Sequence, residues 1–284
     1  MLDWINVIRD GNNYRLEIPV IDRSGLNPVT EAQRTVQHIV ENYPAPYVLY
    51  VSGGIDSQAM LWAWHMSGHK YHAVSYIYNQ DMNLHDLDAG MPEFLKNHNI
   101  RVERRDIDLL KFYEDLYHEY RTKYRCGSPH ICAYMYMADQ QKTGTVIFSG
   151  CAKHSSNGFY TKNEWGLYNY GLLSDKSIVP FFLSETANIH YSFDQKLGNK
   201  LKMYQDAGYP VIAQDLTPNK YNQSRFSGFE KIKDYYDENL AHLVTAKVKL
   251  QQTSTQSSRR VYDLVLRNPY ELRYIKDKYI VATL

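Results

Sequence analysis

The chain has only three cysteines, Cys126, Cys132 and Cys151, and no two of them stand in a Cys-x-x-Cys spacing. An odd number without that spacing argues against a disulfide framework or a zinc knuckle and fits a reducing compartment. An excess of charge is also missing, since 32 basic and 31 acidic residues leave a net charge of +1. A global pull on nucleic acid or on an anionic membrane is therefore not expected, although a local basic patch is compatible with it. No run of about 18 apolar residues occurs, and Met1 to Asp10 does not read as a signal peptide. These absences predict a cytoplasmic protein with no membrane partner. The chain also lacks a Gly-x-x-x-x-Gly-Lys-Ser/Thr loop, so no lysine-bearing phosphate loop is present.

What is present centres on Tyr47 to Leu61. An apolar run, Tyr47-Val-Leu-Tyr-Val51, breaks into Ser52-Gly53-Gly54-Ile55-Asp56-Ser57 and then resumes as a longer apolar segment that stops at Ser67-Gly68. The short first run reads as a buried parallel strand and the second as a helix ended by a left-handed glycine. Between them, two glycines let the backbone turn and approach a ligand, while hydroxyls and helix-start N–H groups face outward. That combination is an anion site. The alternative is a plain Gly-Gly turn between strand and helix.

Those six residues resemble the fingerprint of the PP-loop superfamily of ATP pyrophosphatases, which includes asparagine synthetase, NAD synthetase, tRNA-thiolating enzymes and phosphoadenosine-phosphosulfate reductase. The resemblance implies ATP and Mg²⁺ as cofactors. It implies that Ser52, Gly53, Gly54, Ile55, Asp56 and Ser57 grip the pyrophosphate, with Asp56 at the metal, so that attack at the α-phosphorus yields AMP and pyrophosphate. It also implies the adenine nucleotide alpha-hydrolase-like fold, a doubly wound α/β architecture with a mostly parallel sheet and a helical C-terminal part.

Element order agrees with that expectation. Residues 29–42 put Ala32, Val36, Ile39 and Val40 on one helix face, His72 to Tyr78 and Ile100 to Ile107 read as strands, and Leu87 to His98 as the helix between them, with Pro92 in its first turn. Leu109 to Tyr124 reads as one helix and Ile131 to Gln141 as another, with Ser128 and Pro129 as N-cap and first position. Thr145 to Gly150 and Ser177 to Phe182 complete the strands. The β-α-β units predict a parallel sheet with ligands beyond the strand carboxyl ends. The expected divisions are a β-hairpin appendage over 1–27, the ATP-binding domain over 28–182, a helical part over 183–250, a polar linker over 251–260 and a terminal segment over 261–284.

Further site residues follow from position or from the resemblance. The resemblance implies that backbone groups near Ile77 and Tyr78 take the adenine edge; the alternative is that aromatics there only cover the sheet. Asp81, His85, Asp86 and Asp88 form an acidic cluster in which Asp81 would join Asp56 on the metal, the alternative being a solvated helix start. Gly150 is expected to let the nucleoside approach the backbone. After it, Lys153 and His154 stand where asparagine synthetase carries an acidic pair, so they would meet phosphate or act as acid and base, or else lie in an exposed loop. Residues 156–176 read as a long aromatic loop that sets specificity. Lys220 and Arg225 resemble basic residues that related enzymes return to the departing pyrophosphate, and their alternative is two solvated charges.

The predicted activity is adenylation of a substrate oxygen, on a small molecule or a macromolecule, followed by attack of ammonia or an amine. The initiator Met is followed by Leu2, so no glutamine-hydrolysing N-terminal cysteine is expected to supply that ammonia. Sulfur transfer through the loop cysteine Cys126, or a phosphosulfate-reductase-like reaction, is the second reading, and a nucleotide-binding module without catalysis the third. A homo-oligomer is left open. The 26 tyrosines suggest only interfaces and amphipathic surface.

Overall fold

In the computed structural model, residues 6–10, 13–17, 27–79, 91–124, 126, 129–149, 152–155, 158–161, 165–181, 205–212, 272–275 and 279–283 are described. Strands β1 (Asn6–Asp10) and β2 (Asn13–Glu17) precede helix α1 (Pro28–Asn42). Then come β3 (Tyr47–Tyr50), α2 (Ile55–Ser67), β4 (His72–Tyr78), α3 (Met91–Asn97) and β5 (Val102–Ile107). An interrupted helix follows, made of α4 (Leu109–Lys111), a π-helical stretch (Phe112–Leu116) and α5 (Tyr117–Lys123), and then α6 (Pro129–Asp139). The remaining elements are β6 (Thr145–Phe148), β7 (Ala152–Ser155), β8 (Gly158–Thr161), α7 (Trp165–Leu173), β9 (Ser177–Pro180), β10 (Leu272–Ile275) and β11 (Tyr279–Thr283).

Local chemistry sets these boundaries. The Asn27 side chain accepts from Val29 N at 2.9 Å and Thr30 N at 3.3 Å, and Pro28 takes the first position of α1, where its missing N–H costs nothing. Helix α2 ends at Gly68 with φ of 73°, a left-handed cap. The helix expected over Leu109 to Tyr124 is broken by the π-helical stretch, around which Phe112, Tyr113 and Tyr117 are buried.

The five strands β5-β4-β3-β6-β9 form an all-parallel sheet in that order. Because strand residues alternate between faces, Tyr47, Leu49 and Val51 join one core with Ala32, Val36, Ile39, Trp64 and Phe94 from α1, α2 and α3. Val48, Tyr50, Val74 and Tyr76 join the other with residues of α4 through α7. The sheet is therefore doubly wound, as expected, with cores on both faces. Trp64 is completely buried at the centre of the first core. Trp64→Ala should cost about 3–5 kcal/mol, seen as a lower urea midpoint with an unchanged slope.

The second core takes up part of the tyrosine content, which the sequence assigned to interfaces and amphipathic surface. Tyr50, Tyr76, Tyr113, Tyr117, Tyr124 and Tyr170 are buried there. Several hydroxyls in this core are hydrogen-bonded: Tyr50 Oη donates to the Met137 carbonyl at 2.8 Å, and both Tyr170 and the partly buried Tyr120 donate to Asp139. Burial raises the Tyr50 and Tyr170 pKa values far above the ordinary phenol range, so these hydroxyls stay protonated donors.

Residues 156–176, expected as a loop, instead contain β8, which pairs antiparallel with β7, and α7, whose Leu167 and Tyr170 are buried. A second sheet has the order β1-β2-β11-β10, all antiparallel, with Glu17 facing Tyr279 and Asn13 facing Thr283. The N-terminal hairpin and the terminal segment, which the sequence leaves separate, thus share one sheet. The helical part expected after residue 183 and the linker over 251–260 fall almost entirely outside the described residues.

Candidate active site

Strand order reverses between β3, which is followed by β4 and β5 on one side, and β6, which returns to its other side. In open α/β sheets the crevice at such a reversal, beyond the carboxyl ends of the strands, is where ligands bind. Ser52 to Ser57 occupy that place, between the end of β3 and the start of α2. Gly53 has φ of 92°, a region that favours glycine, and Gly54 is the N-cap of α2 in an extended conformation. No side chain caps this helix, so its first turn offers backbone amides and the positive end of the helix dipole to an anion.

The hydroxyls are held in place by the loop itself. Ser57 Oγ donates to the Gly54 carbonyl at 2.8 Å, and Ser52 Oγ lies 3.4 Å from Ser57 Oγ. Ser57 is buried and Ser52 exposed, while Gly54, Ile55 and Asp56 are half-buried. The loop is also tied to the neighbouring strand, because Val51 N donates to the Val74 carbonyl at 2.9 Å and Ser75 Oγ to the Val51 carbonyl at 2.6 Å. This arrangement fits the β,γ-pyrophosphate of a nucleotide. Asp56, in the first turn of α2, is the one acid of the loop, and an ATP-borne Mg²⁺ needs only one or two carboxylates beside phosphates and waters. Among the described residues no group of three or more His, Cys, Asp and Glu could hold a metal by itself.

Ile77 and Tyr78 lie at the end of β4, the strand beside the loop, with their side chains buried. The register between β3 and β4 ends at Tyr50 with Val74, while β4 continues to Tyr78 past the turn at Ser52. Asn79 then locks the strand end: its Nδ2 donates to Asp108 Oδ1 at 2.6 Å and its Oδ1 accepts from Leu110 N at 3.1 Å. Lys153 and His154 are on strand β7, facing Tyr160 and Phe159 of β8, and not in the exposed loop weighed for them. Gly150, Asp81, Lys220 and Arg225 lie outside the described residues, as do His85, Asp86, Asp88 and Cys151.

Among the solved structures similar to the chain are an NMN synthetase and a U34-tRNA thiolase. The NMN synthetase of Francisella tularensis matches over 91% of this chain and 100% of its own, at 14% identity and a TM-score of 0.34. The U34-tRNA thiolase NcsA of Methanococcus maripaludis, solved with its 4Fe-4S cluster, matches over 83% of this chain and 87% of its own, also at 14% identity and 0.34. No family model and no curated protein matches. The resemblance to the PP-loop superfamily rests on Ser52 to Ser57 and on where the fold puts them, at the reversal of strand order.

The sequence expects Cys126 to be the accessible loop thiol, and the structure buries it at 1% exposure. The cause is local: Cys126 N donates to the Arg121 carbonyl at 3.1 Å, folding the chain back onto α5, and Cys132 Sγ donates to the Cys126 carbonyl at 3.5 Å. Burial, with Cys126 alongside, also holds the Cys132 thiol well above its ordinary pKa, against thiolate chemistry. The residue that sequence reasoning missed is Gln58. It follows the motif directly, is completely buried, and touches both the loop and residue 212. Its one signal is a long polar side chain heading an apolar helix, Gln58-Ala-Met-Leu61.

Proposed function

We propose that the chain is an ATP pyrophosphatase that adenylates a substrate oxygen and then passes the activated group to ammonia or an amine. The observation that supports this reading most is the uncapped start of α2 behind Gly53 and Gly54, placed where the strand order reverses. Ser52, Ser57 and the amides of the loop bind the β,γ-pyrophosphate and meet the charge that grows on it as it leaves. A bound Mg²⁺ would be held by Asp56 and the phosphates and would neutralise part of that charge.

The substrate oxygen attacks the α-phosphorus as the bond to the bridging oxygen of pyrophosphate breaks. The amine nitrogen then attacks the activated carbon, loses its proton to solvent or a nearby base, and AMP departs. Nucleoside binding falls to the end of β4, at Ile77 and Tyr78, and to Gly150. Lys153, His154, Lys220 and Arg225 remain candidates for charge neutralisation and proton transfer, and Asp81 for the metal. The soft-sulfur alternative gains nothing from Cys126 and Cys132, both of them buried.

The test is incubation with MgATP, ammonium and a panel of carboxylic acids, with nucleotides separated by chromatography. AMP and pyrophosphate should form one to one, and only when an acid is present. Release of ADP and phosphate would overturn the proposal. Tight binding of ATP with no AMP from any acid would favour a nucleotide-binding module instead.

A further inference from the structure

Gln58 makes three hydrogen bonds from a fully buried side chain. Its Nε2 donates to the Gly53 carbonyl at 2.9 Å and to the Ile212 carbonyl at 3.2 Å, and its Oε1 accepts from Ile212 N at 2.9 Å. The amide can be oriented only one way, because exchanging its N and O would set oxygen against two carbonyls and nitrogen against an N–H. Residue 212 is far away in sequence, beyond Gly208, whose φ of 85° turns the chain after Gln205. Tyr209 and Val211 are buried in the core beneath α2, so Ile212 presents its backbone to Gln58 from a fixed support.

The bond to Gly53 has a geometric consequence. In a trans peptide the C=O of one residue and the N–H of the next point in opposite directions. The Gly53 to Gly54 bond is trans. Drawing the Gly53 carbonyl inward to Gln58 therefore turns the Gly54 N–H outward, toward the crevice where an anion would sit. Glycine at φ of 92° has wide rotational freedom on both sides, so the backbone does not set that orientation by itself. An external hold is needed, and Gln58 is the side chain that supplies one.

We propose that Gln58 is the positioning residue of the loop: anchored on the backbone of Ile212, it fixes the Gly53 to Gly54 peptide so that the Gly54 amide points at the bound pyrophosphate. This inference rests on the reading of Ser52 to Ser57 as a pyrophosphate site. Gln58 does not touch the anion itself. Its loss should weaken every ligand that carries pyrophosphate and leave a ligand without it unaffected.

The experiment uses the full chain with Gln58→Met, which keeps the length of the side chain but neither donates nor accepts strongly, and Gln58→Glu, which keeps the acceptor for Ile212 N and loses the donor for Gly53. Inorganic pyrophosphate with Mg²⁺, a non-hydrolysable MgATP analogue and adenosine are titrated by calorimetry, and melting temperature is followed alongside. The expected result is a roughly tenfold or larger loss for pyrophosphate and the analogue in both variants. Adenosine should bind unchanged. Should Gln58→Glu fail to fold with its buried charge, Gln58→Met carries the test. Equal losses for adenosine and pyrophosphate would reduce Gln58 to a structural role and overturn the inference. So would pyrophosphate affinity retained within threefold in Gln58→Met. If the native chain binds no pyrophosphate at all, the anion-site reading fails first and takes this inference with it.

Discussion

Asp56→Ala is expected to weaken binding of a non-hydrolysable MgATP analogue by about tenfold to a hundredfold, the range expected when one ligand of a phosphate-shared cation is lost. The same substitution should have the opposite sign without the metal. In EDTA, a carboxylate on the first turn of α2 repels the phosphates that the amides attract, so removing it should leave affinity unchanged or improve it. Calorimetric titration of native and Asp56→Ala chains, each in Mg²⁺ and in EDTA, gives four affinities. If the native chain binds equally well in both conditions, and the variant matches it, Asp56 has no part in metal binding. Thermal stability should change little, since Asp56 is half-buried at the mouth of the crevice and not in either core.

Gly144→Ala should destabilise the fold by about 2–5 kcal/mol, a large share of the stability of an ordinary domain. Two effects combine there. The φ of 88° is strained for any residue with a side chain, by about 1–2 kcal/mol. A Cβ at Gly144 would also lie 2.0 Å from the Pro46 carbonyl oxygen. That oxygen cannot move aside, because it accepts from Thr145 N at 2.9 Å, in the register that joins β3 to β6. Relieving such overpacking against backbone costs a further 1–3 kcal/mol. Gly208→Ala is the matched control: its φ is 85°, but a Cβ there meets nothing within 4 Å. It should lose only the conformational part. Urea midpoints that fall equally for the two variants would show that the clash with Pro46 is relieved without cost.

The parts of this molecule that could be read from sequence are those whose determinants are local. Strand β4 stands at His72 to Tyr78, as the apolar run between Tyr71 and Asn79 predicts, because a strand buried on both faces leaves a continuous signature. The turn at Ser52 to Ser57 was legible for the same reason, since two glycines separate the apolar run of β3 from that of α2. Gln58 was not, since its partner is 154 residues further along and nothing in either segment announces the other. Cys126 was misplaced because loop residues are usually exposed, and a hydrogen bond back to Arg121 reverses that here. Helix α7 hid behind its Gly and Asn residues, although Leu167 and Tyr170 stand at helical spacing. The tyrosines misled through their polarity. Once Asp139 and the Met137 carbonyl accept their hydroxyls, they pack as well as phenylalanine would.

The sheet that joins β2 to β11 bears on the order in which this chain can fold. Its pairing of Glu17 with Tyr279 closes almost the whole length of the polypeptide into one loop. Closure entropy grows only with the logarithm of loop length, so the finished sheet pays little extra for that distance in stability. In time the cost is larger, because contacts between remote segments form last. The loop at Ser52 to Ser57 and the strands that flank it, β3 and β4, lie within residues 47–79 and are synthesised early, whereas β2 waits for its partner until β11 has been made. Throughout that interval one side of β2 is an unsatisfied template for another strand, and crowding of nascent chains is where misassembly should be sought.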